Sequence, residues 1–341
     1  MRLLLSLLLS VLLAVSALAQ EPPAGESDTP AQAAETPEPP PCGTRTLSIA
    51  AMQWPSAQIL AEIHARILTA EFDCDVQVVS SDLAAAGSGM AASGQPAIAP
   101  EMWISRIAEI WNQGTKAQQV RQAGTTYVET AFEGWFIPDY VAEAHPELTN
   151  AASLATQWKI FAGSNPKARF ISCPIDWGCA VINRNLLKAL GLDTFFNVVE
   201  PANRFELDTL IAEAVSRKEA VLFYYWQPNA VLSQFKFKEL DLGSYDQAAL
   251  TCLARRSCPA PKPSAFAPEP VVIGLADWVY PEAPEIAAYF QRAKMPIKEM
   301  NALLAALNEP GATVQTVADL FVSGREEIWR PWLGTPLPTS E

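Results

Sequence analysis

Short apolar segments alternate with segments of helical periodicity along most of the chain, and this alternation limits the folds it can adopt. Thr46–Met52 is an apolar strand candidate, Trp54 and Pro55 interrupt it, and Ser56 is the expected N-cap of a helix at Ala57–Thr69. Further strands are predicted at Val76–Val79, Ala97–Ile98, Lys167–Ser172, Ala220–Tyr225 and Val271–Leu275, and further helices at Ile104–Trp111, Ala180–Leu190, Phe205–Arg217, Glu285–Arg292, Ile297–Leu307 and Val314–Trp329. We expect Gly87–Gly94 to be a flexible segment. The pattern predicts an α/β fold with a largely parallel sheet.

The first 43 residues are predicted to lie outside this fold. Arg2 precedes an apolar run, Leu3–Leu18, and the small residues around Ala19 complete the pattern of a cleaved signal peptide at 1–19. The run is too short for an anchor helix. Residues 20–43 are predicted to be a disordered tether, because Gln20–Pro41 holds seven prolines and five acidic residues. The mature protein is therefore expected to be exported from the cytoplasm.

Charge and length exclude some functions. The chain has 341 residues, which suggests about two domains, and a formal net charge of −13. An acidic protein is poorly suited to bind nucleic acid or to anchor to a membrane through basic residues. No nucleic acid partner is therefore predicted.

The six cysteines all lie in the predicted mature chain. An even number in an exported protein favours disulfides. Two local pairs share the same separation and leave a third pair, namely Cys173 with Cys179, Cys252 with Cys258, and Cys42 with Cys74. Metal ligation is the alternative, but the chain has no C-x-x-C motif, and neither of its two histidines has a partner at zinc spacing. No metal or cofactor is predicted.

The chain lacks the sequence motifs of several common enzyme classes. The chain contains no G-x-S-x-G, H-E-x-x-H, P-loop or G-x-G-x-x-G motif. A secreted hydrolase that uses paired carboxylates is left open, because an acidic protein always offers such pairs. The favoured interpretation is a protein that is not an enzyme.

Five of the ten tryptophans occur where predicted strands end or loops begin, at Trp54, Trp103, Trp135, Trp177 and Trp226. Ligands of open α/β sheets bind at the carboxyl ends of strands, so these rings suggest an aromatic-lined cleft. Aromatic faces attract cations, above all a quaternary ammonium that cannot hydrogen-bond. The alternative is that each ring fills a core. The other five are assigned to packing or to the surface, at Trp111, Trp158, Trp278, Trp329 and Trp332.

Several motifs resemble those of a known family, the substrate-binding proteins of glycine betaine/proline betaine ABC importers, which also includes choline binders. The likeness extends from Thr46 to Leu333. Its most specific motif, from Cys173 to Cys179, reads C-P-I-D-W-G-C and is similar to the family's G-C-x-P-G-W-G-C loop. The looser matches are Tyr224–Pro228 with the family's Y-x-W-x-P, Ala99–Trp103 with another segment that supplies a tryptophan, Gly134–Pro138 with a stretch near the hinge, and Trp54 with a first-strand tryptophan of choline binders.

The resemblance implies a type II periplasmic binding protein, with two α/β lobes, a hinge and an interlobe ligand cleft. Lobe I is expected at 44–132 plus 239–341, and lobe II at 133–238. Trp54 and Trp103 of lobe I would form a cage with Trp177 and Trp226 of lobe II, and Trp135 would lie near the hinge.

The same resemblance implies how a ligand carboxylate is held. The backbone N–H groups of Gly178 and Cys179, fixed by the Cys173–Cys179 bond, would bind it. Some family members also have a histidine where this chain has Ile107. The neighbouring Arg106 is either its substitute or a solvated helix residue.

The resulting expectation is a monomeric solute-binding protein. It would capture glycine betaine, choline, carnitine or a similar quaternary ammonium and deliver it to an ABC transporter permease in the inner membrane. The alternative is a sensing protein of the same fold that is coupled to a receptor.

Overall fold

The structure is a computed structural model that describes residues 40–334, and within these residues the strands form two five-stranded sheets. The predicted signal peptide and the predicted tether up to residue 39 lie outside the described residues. The strands are β1 (Leu47–Met52), β2 (Val76–Ser81), β3 (Ile98–Trp103), β4 (Val120–Thr125), β5 (Glu133–Pro138), β6 (Ala168–Ile171), β7 (Phe196–Val199), β8 (Leu222–Trp226), β9 (Phe237–Leu240) and β10 (Val271–Ala276).

Helices connect the strands and cover both sheets. They are α1 (Pro55–Phe72), α2 (Leu83–Ser93), α3 (Ala108–Lys116), α4 (Asp139–Ala144), α5 (Leu154–Gln157), α6 (Gly178–Ala189), α7 (Arg204–Ser216), α8 (Val231–Gln234), α9 (Gln247–Leu253), α10 (Val279–Glu282), α11 (Pro284–Arg292), α12 (Ile297–Ala306), α13 (Val314–Gly324) and α14 (Glu326–Trp329). Short 3-10 turns occur at Ile104–Ile107, Ala151–Ser153, Trp158–Phe161 and Arg330–Leu333. Between residues 40 and 334 no helix has the length and apolar character needed to cross a membrane.

The two sheets have the same pattern of directions. The first has the order β2-β1-β3-β10-β4, with β1 parallel to β2 and β3 and with β10 antiparallel to both neighbours. The second has the order β7-β6-β8-β5-β9, with β6 parallel to β7 and β8 and with β5 antiparallel to both neighbours. The α/β class is confirmed, but each sheet is mixed because a strand that arrives from the other sheet enters it in the opposite direction.

Two of the local predictions are wrong. Gly87–Gly94 is not a flexible segment, because Asp82 accepts a hydrogen bond from Ala85 N at 2.8 Å and so caps α2, which continues to a left-handed Gly94. Ser56 does not cap α1 either. The N-cap is Trp54, Pro55 occupies the first turn, and Ser56 is a buried residue within the helix.

The chain passes between the sheets twice, first at residues 126–132, between β4 and β5, and again at residues 267–270, before β10. These two crossing segments are neighbours. Thr126 N donates to Val271 O at 2.9 Å, and Glu269 N donates to Thr130 O at 3.2 Å. The expected boundary at 239 lies within β9 of the second sheet, and Leu253 and Phe266 still pack in the core of that sheet. We therefore call the first sheet with its helices the first lobe, and the second sheet with the chain from 133 to 266 the second lobe.

Three disulfides are present, and their pairing is the one that the spacing favours. Cys42 is bonded to Cys74, Cys173 to Cys179, and Cys252 to Cys258. The first bond fixes the start of the folded chain to the residues that precede β2. No thiol is left free among the described cysteines.

A buried polar network organises the core of the second lobe. Trp135 is fully buried in β5, and its indole N–H donates to Asn183 Oδ1 at 2.8 Å. The Asn183 amide in turn donates to Ser172 Oγ at 2.9 Å. Asn183 therefore links α6 to two strand segments, and its loss leaves an indole donor buried without a partner.

We expect Asn183→Ala to lower the free energy of unfolding by about 1–3 kcal/mol, because the desolvated Trp135 N–H then has no acceptor. Urea denaturation of the ligand-free protein measures this change. Asn165→Ala, at an exposed position, is the control and should shift stability by less than about 0.5 kcal/mol. Equal effects of the two substitutions would contradict this role of Asn183.

Candidate ligand-binding site

A cavity of about 360 Å³ lies between the two lobes and is the candidate site. This volume falls in the usual range of small-molecule sites, ~300–1,000 Å³. The first lobe contributes Trp54, Ser56, Glu101, Trp103 and Arg106 to its wall, and the second contributes Arg204, Trp226 and Gln227–Ala230. The cavity therefore depends on residues from both lobes.

Strand ends position three tryptophans in this wall. Trp103 is the last residue of β3, Trp226 is the last residue of β8, and Trp54 follows β1 by two residues. All three rings are half-buried, so each has a surface that a ligand can contact. The structure thus places three of the five predicted strand-end rings in the wall of one cavity.

Other aromatic rings hold the wall of the second lobe. The Trp226 ring stacks on Tyr225 with 4.6 Å between centroids, and Trp177 meets Trp226 edge-on at 5.1 Å. Trp177 supports Trp226 in this arrangement and does not itself line the cavity. Asn301 of α12 donates to Gln227 Oε1 at 3.0 Å, which ties this loop to the first lobe.

Trp103 is held from two sides. Its ring meets the edge of Phe132, a residue of the first crossing segment, with 5.3 Å between centroids. The guanidinium of Arg106 lies 4.8 Å from the centre of the Trp103 ring and 3.5 Å from the carboxylate of Glu269. Arg106 is thus both engaged with its neighbours and part of the cavity wall.

Four of the predicted site residues do not line the cavity. Trp135 is fully buried and bonded to Asn183, so a ligand cannot reach it. Gly178 begins α6, with Cys179 next to it, and these residues and Trp177 lie outside the wall. Their first-turn N–H groups lack acceptors within the helix, which is the usual property of a helix N-terminus. The remaining predicted tryptophans behave as packing residues, since Trp111, Trp278, Trp329 and Trp332 are buried and Trp158 stacks on Phe195.

Glu101 is a wall residue that the sequence analysis did not select. It lies in β3, two residues before Trp103, and is fully buried in the protein. The Ser56 hydroxyl donates to Glu101 Oε1 at 3.1 Å, and the Trp103 indole donates to the same oxygen at 2.9 Å. Glu101 Oε2 and the indole N–H of Trp54 have no hydrogen bond partner among the described residues.

Burial raises the pKa of Glu101 from its ordinary value of 4.5 to about 7. The hydrogen bonds from Trp103 and Ser56, together with the nearby Trp54 and Tyr127 groups, act in the opposite direction but are uncharged. Burial and the charge of Glu101 in turn raise the pKa of Tyr127 well above its ordinary value. The wall therefore contains a carboxyl group whose ionisation changes near neutral pH.

The signal for Glu101 in the sequence is its context. An acidic residue inside an otherwise apolar strand, in Ile98–Trp103, is rare unless something compensates its charge.

The described residues contain no group of three or more histidine, cysteine or acidic side chains that could hold a metal ion.

The two sheets are joined by adjacent crossing segments, and one cavity lies at the carboxyl ends of parallel strands from both sheets. These features define a two-lobed solute-binding protein of the type II periplasmic binding class. The chain belongs to the family described as the substrate binding domain of the ABC-type glycine betaine transport system, whose model matches residues 45–324. The resemblance inferred from the motifs is thereby confirmed. Proteins of this family bind solutes outside the cytoplasm and are not enzymes, which confirms the prediction of a non-enzymatic role.

Solved structures share the fold at low sequence identity. Lactococcal OpuAC in complex with glycine betaine superposes with a TM-score of 0.51 at 15% identity, covering 85% of this chain and 100% of that one. A glycine betaine/carnitine/choline ABC transporter structure gives a TM-score of 0.57 at 13% identity, covering 83% and 99%. Apo YehZ from Escherichia coli gives 0.56 at 13% identity, covering 82% and 99%. A comparison with curated protein sequences gives no match.

We expect Ser56→Ala to raise the pKa of Glu101 further, because it removes one of the two donors to Oε1. A carbon-13 NMR titration of the side-chain carboxyl groups measures this shift. Ser105→Ala is the matched control, since the Ser105 hydroxyl donates to Glu269 and not to Glu101. An unchanged Glu101 titration in Ser56→Ala would show that this hydrogen bond does not contribute.

Proposed function

We propose that the protein captures a quaternary ammonium compound, glycine betaine or a similar molecule, in an aromatic cage in the periplasm and delivers it to the permease of an ABC transporter. The observation that carries this proposal is the position of Trp54, Trp103 and Trp226, which come from both lobes and line one cavity. Membership of a glycine betaine transport family supports it. The protein acts as a monomer after its signal peptide is removed.

The cage suits a methylated ammonium for two reasons. The faces of the three indoles attract a cation, with ~0.5–2 kcal/mol for each favourable contact. A trimethylammonium group has no N–H to satisfy, so it loses little when it leaves water. Ring faces therefore compete well with solvent for this group, and less well for a primary ammonium that needs hydrogen bond acceptors.

The anionic end of a zwitterion needs a second set of contacts. Arg106 and Arg204 are the cationic residues of the wall, one from each lobe, and both side chains are more than half exposed. They take a ligand carboxylate in this proposal. The N–H groups of Gly178 and Cys179, which lie outside the cavity wall at the start of α6, are the second candidate for this role.

Binding and delivery are coupled through the two lobes. A ligand that contacts rings of both lobes favours the conformation in which the lobes are close, so it shifts the population towards that form. The permease then recognises the closed form, and release follows when the lobes separate. The adjacent crossing segments are the part of the chain where such a motion takes place.

We expect choline to bind much more tightly than its uncharged carbon analogue 3,3-dimethylbutan-1-ol, because the two differ in the charge that the rings attract. Isothermal titration calorimetry with this pair, and with glycine betaine, proline betaine, carnitine and proline, measures the preference. Equal affinity for choline and the analogue would argue against a cation cage. Binding of a sugar or peptide, and of none of the ammonium compounds, would overturn the proposal.

We expect Trp226→Ala to weaken binding of the preferred ammonium ligand by about tenfold, which corresponds to ~1.4 kcal/mol and lies within the range for one cation–π contact. Trp177→Ala should have a smaller effect, because Trp177 contacts Trp226 and does not line the cavity. Trp158→Ala, whose ring stacks on Phe195 and does not line the cavity, is the control and should leave affinity unchanged. Affinity is measured by the quenching of tryptophan fluorescence. Similar losses in all three variants would indicate general packing effects.

A further inference from the structure

Glu101 is a buried carboxyl group with an unsatisfied oxygen in the wall of the ligand cavity. Its Oε1 accepts hydrogen bonds from Ser56 and Trp103, but Oε2 has no partner among the described residues. A buried carboxylate that lacks a partner for one oxygen is unfavourable, because desolvation is not compensated. Two donors that are unpartnered in the described part of the chain, the Trp54 indole N–H and the Tyr127 hydroxyl, lie near Glu101 and favour its ionised form, but they are uncharged, so the negative charge itself stays uncompensated.

The groups that face Glu101 carry no opposite charge. The segment that joins β1 to α1 presents the Trp54 indole, α1 presents Ser56, and the segment after β4 presents the Tyr127 hydroxyl, which all act on Glu101 as uncharged groups. Trp103, which lies on the same strand as Glu101, carries no charge either. The charged side chains of the cavity wall are Arg106 and Arg204, and these are engaged with Glu269 and Asp208. Within residues 40–334, Glu101 takes part in no ion pair.

The free-energy cost of burying the Glu101 charge can be removed in two ways. A proton on Glu101 neutralises it, and this is the state that burial favours in the empty cavity, where the pKa is raised to about 7. Alternatively, a cation among the rings of Trp54, Trp103 and Trp226 supplies the missing charge, since these residues and Glu101 line the same cavity. A proton and a cationic ligand therefore compete for the same carboxyl group.

We propose that Glu101 is the counter-ion of the ligand's ammonium group, and that the ligand binds by displacing a proton from it. This inference rests on the proposed function, because it requires a quaternary ammonium in the cage. It adds a specificity rule to that function. The site favours a ligand with a net positive charge as the pH rises, and acidification releases the ligand.

The size of the effect follows from proton linkage. With a free-state pKa of about 7 and a bound state that stays ionised, the ionised fraction in the empty protein rises about tenfold between pH 6 and pH 8. The affinity for choline should rise by the same factor. Binding should release about one proton for each ligand at pH 6, about half a proton at pH 7, and almost none above pH 8.5.

Calorimetry of the full mature protein tests this directly. Choline and glycine betaine are titrated at each pH in two buffers with different ionisation enthalpies, and the difference in measured heat gives the number of protons released. In Glu101→Gln the release should disappear, affinity should no longer depend on pH between 6 and 8, and choline should bind at least tenfold more weakly than to the wild type at pH 8.

Two controls separate a binding effect from a folding effect. Glu239→Gln removes a carboxyl that desolvation and Asp241 also raise to a pKa of about 7, but Glu239 lies in β9 outside the cavity wall. This variant should keep the wild-type proton release. Thermal unfolding of ligand-free Glu101→Gln at pH 8 should show no loss of stability, because the substitution removes a buried charge.

The possible outcomes distinguish this inference from the function on which it depends. Release of protons that is lost in Glu101→Gln and kept in Glu239→Gln supports it. Tight binding of choline or glycine betaine at pH 6 without proton release, or with proton uptake, overturns the role of Glu101 and leaves the ammonium cage in place. If no quaternary ammonium compound binds the wild-type protein, the proposed function and this inference are both wrong.

Discussion

The pairing of the two crossing segments is the constraint on which the site depends. The hydrogen bonds from Thr126 to Val271 and from Glu269 to Thr130 hold the only two passages of the described chain between the sheets side by side. The two sheets are therefore joined at one place, and residues at the carboxyl ends of β1, β3 and β8 line a common cavity. Since neither sheet alone carries all three ring-bearing strand ends, the cavity wall is a property of the pair.

Glu101 makes the stability of the folded chain depend on pH. Its pKa in the folded chain lies above the ordinary value of 4.5, so the folded state binds more protons than the unfolded state between pH 4.5 and about 7. Its contribution to stability consequently falls as the pH rises through that window. Ser56 and Trp103 reduce this penalty without cancelling it, because they donate to one oxygen only. A carboxylate paired with an opposite charge would not carry this penalty.

The sequence indicated the class of fold and three rings of the cavity wall because both depend on local patterns. Alternating strand and helix periods predicted the α/β class, the resemblance to the family implied two lobes, and Trp54, Trp103 and Trp226 were selected because they occur where strands end. Trp135 also has a loop-like Gly neighbour, but it lies inside β5, where pairing with Asn183 across the core decides its environment. The Gly87–Gly94 segment looked flexible by composition, yet a single cap at Asp82 and packing made it helical. Glu101 has a sequence signal in its apolar strand, but its contacts with Ser56 and Tyr127 join residues that are distant in sequence, so its place in the cavity wall became apparent only in the structure.

The position of β10 has a consequence for the order in which the chain folds. This strand lies between β3 and β4 in the first sheet, yet it follows the whole second lobe in sequence. During synthesis or translocation, β3 and β4 emerge early and remain exposed strand edges until residues 271–276 arrive, and exposed edges invite association with other chains. The second lobe has no such delay, since its strands come from one continuous stretch, 133–240. The last lobe to be completed is thus the one that begins first, and it is the lobe that carries Glu101.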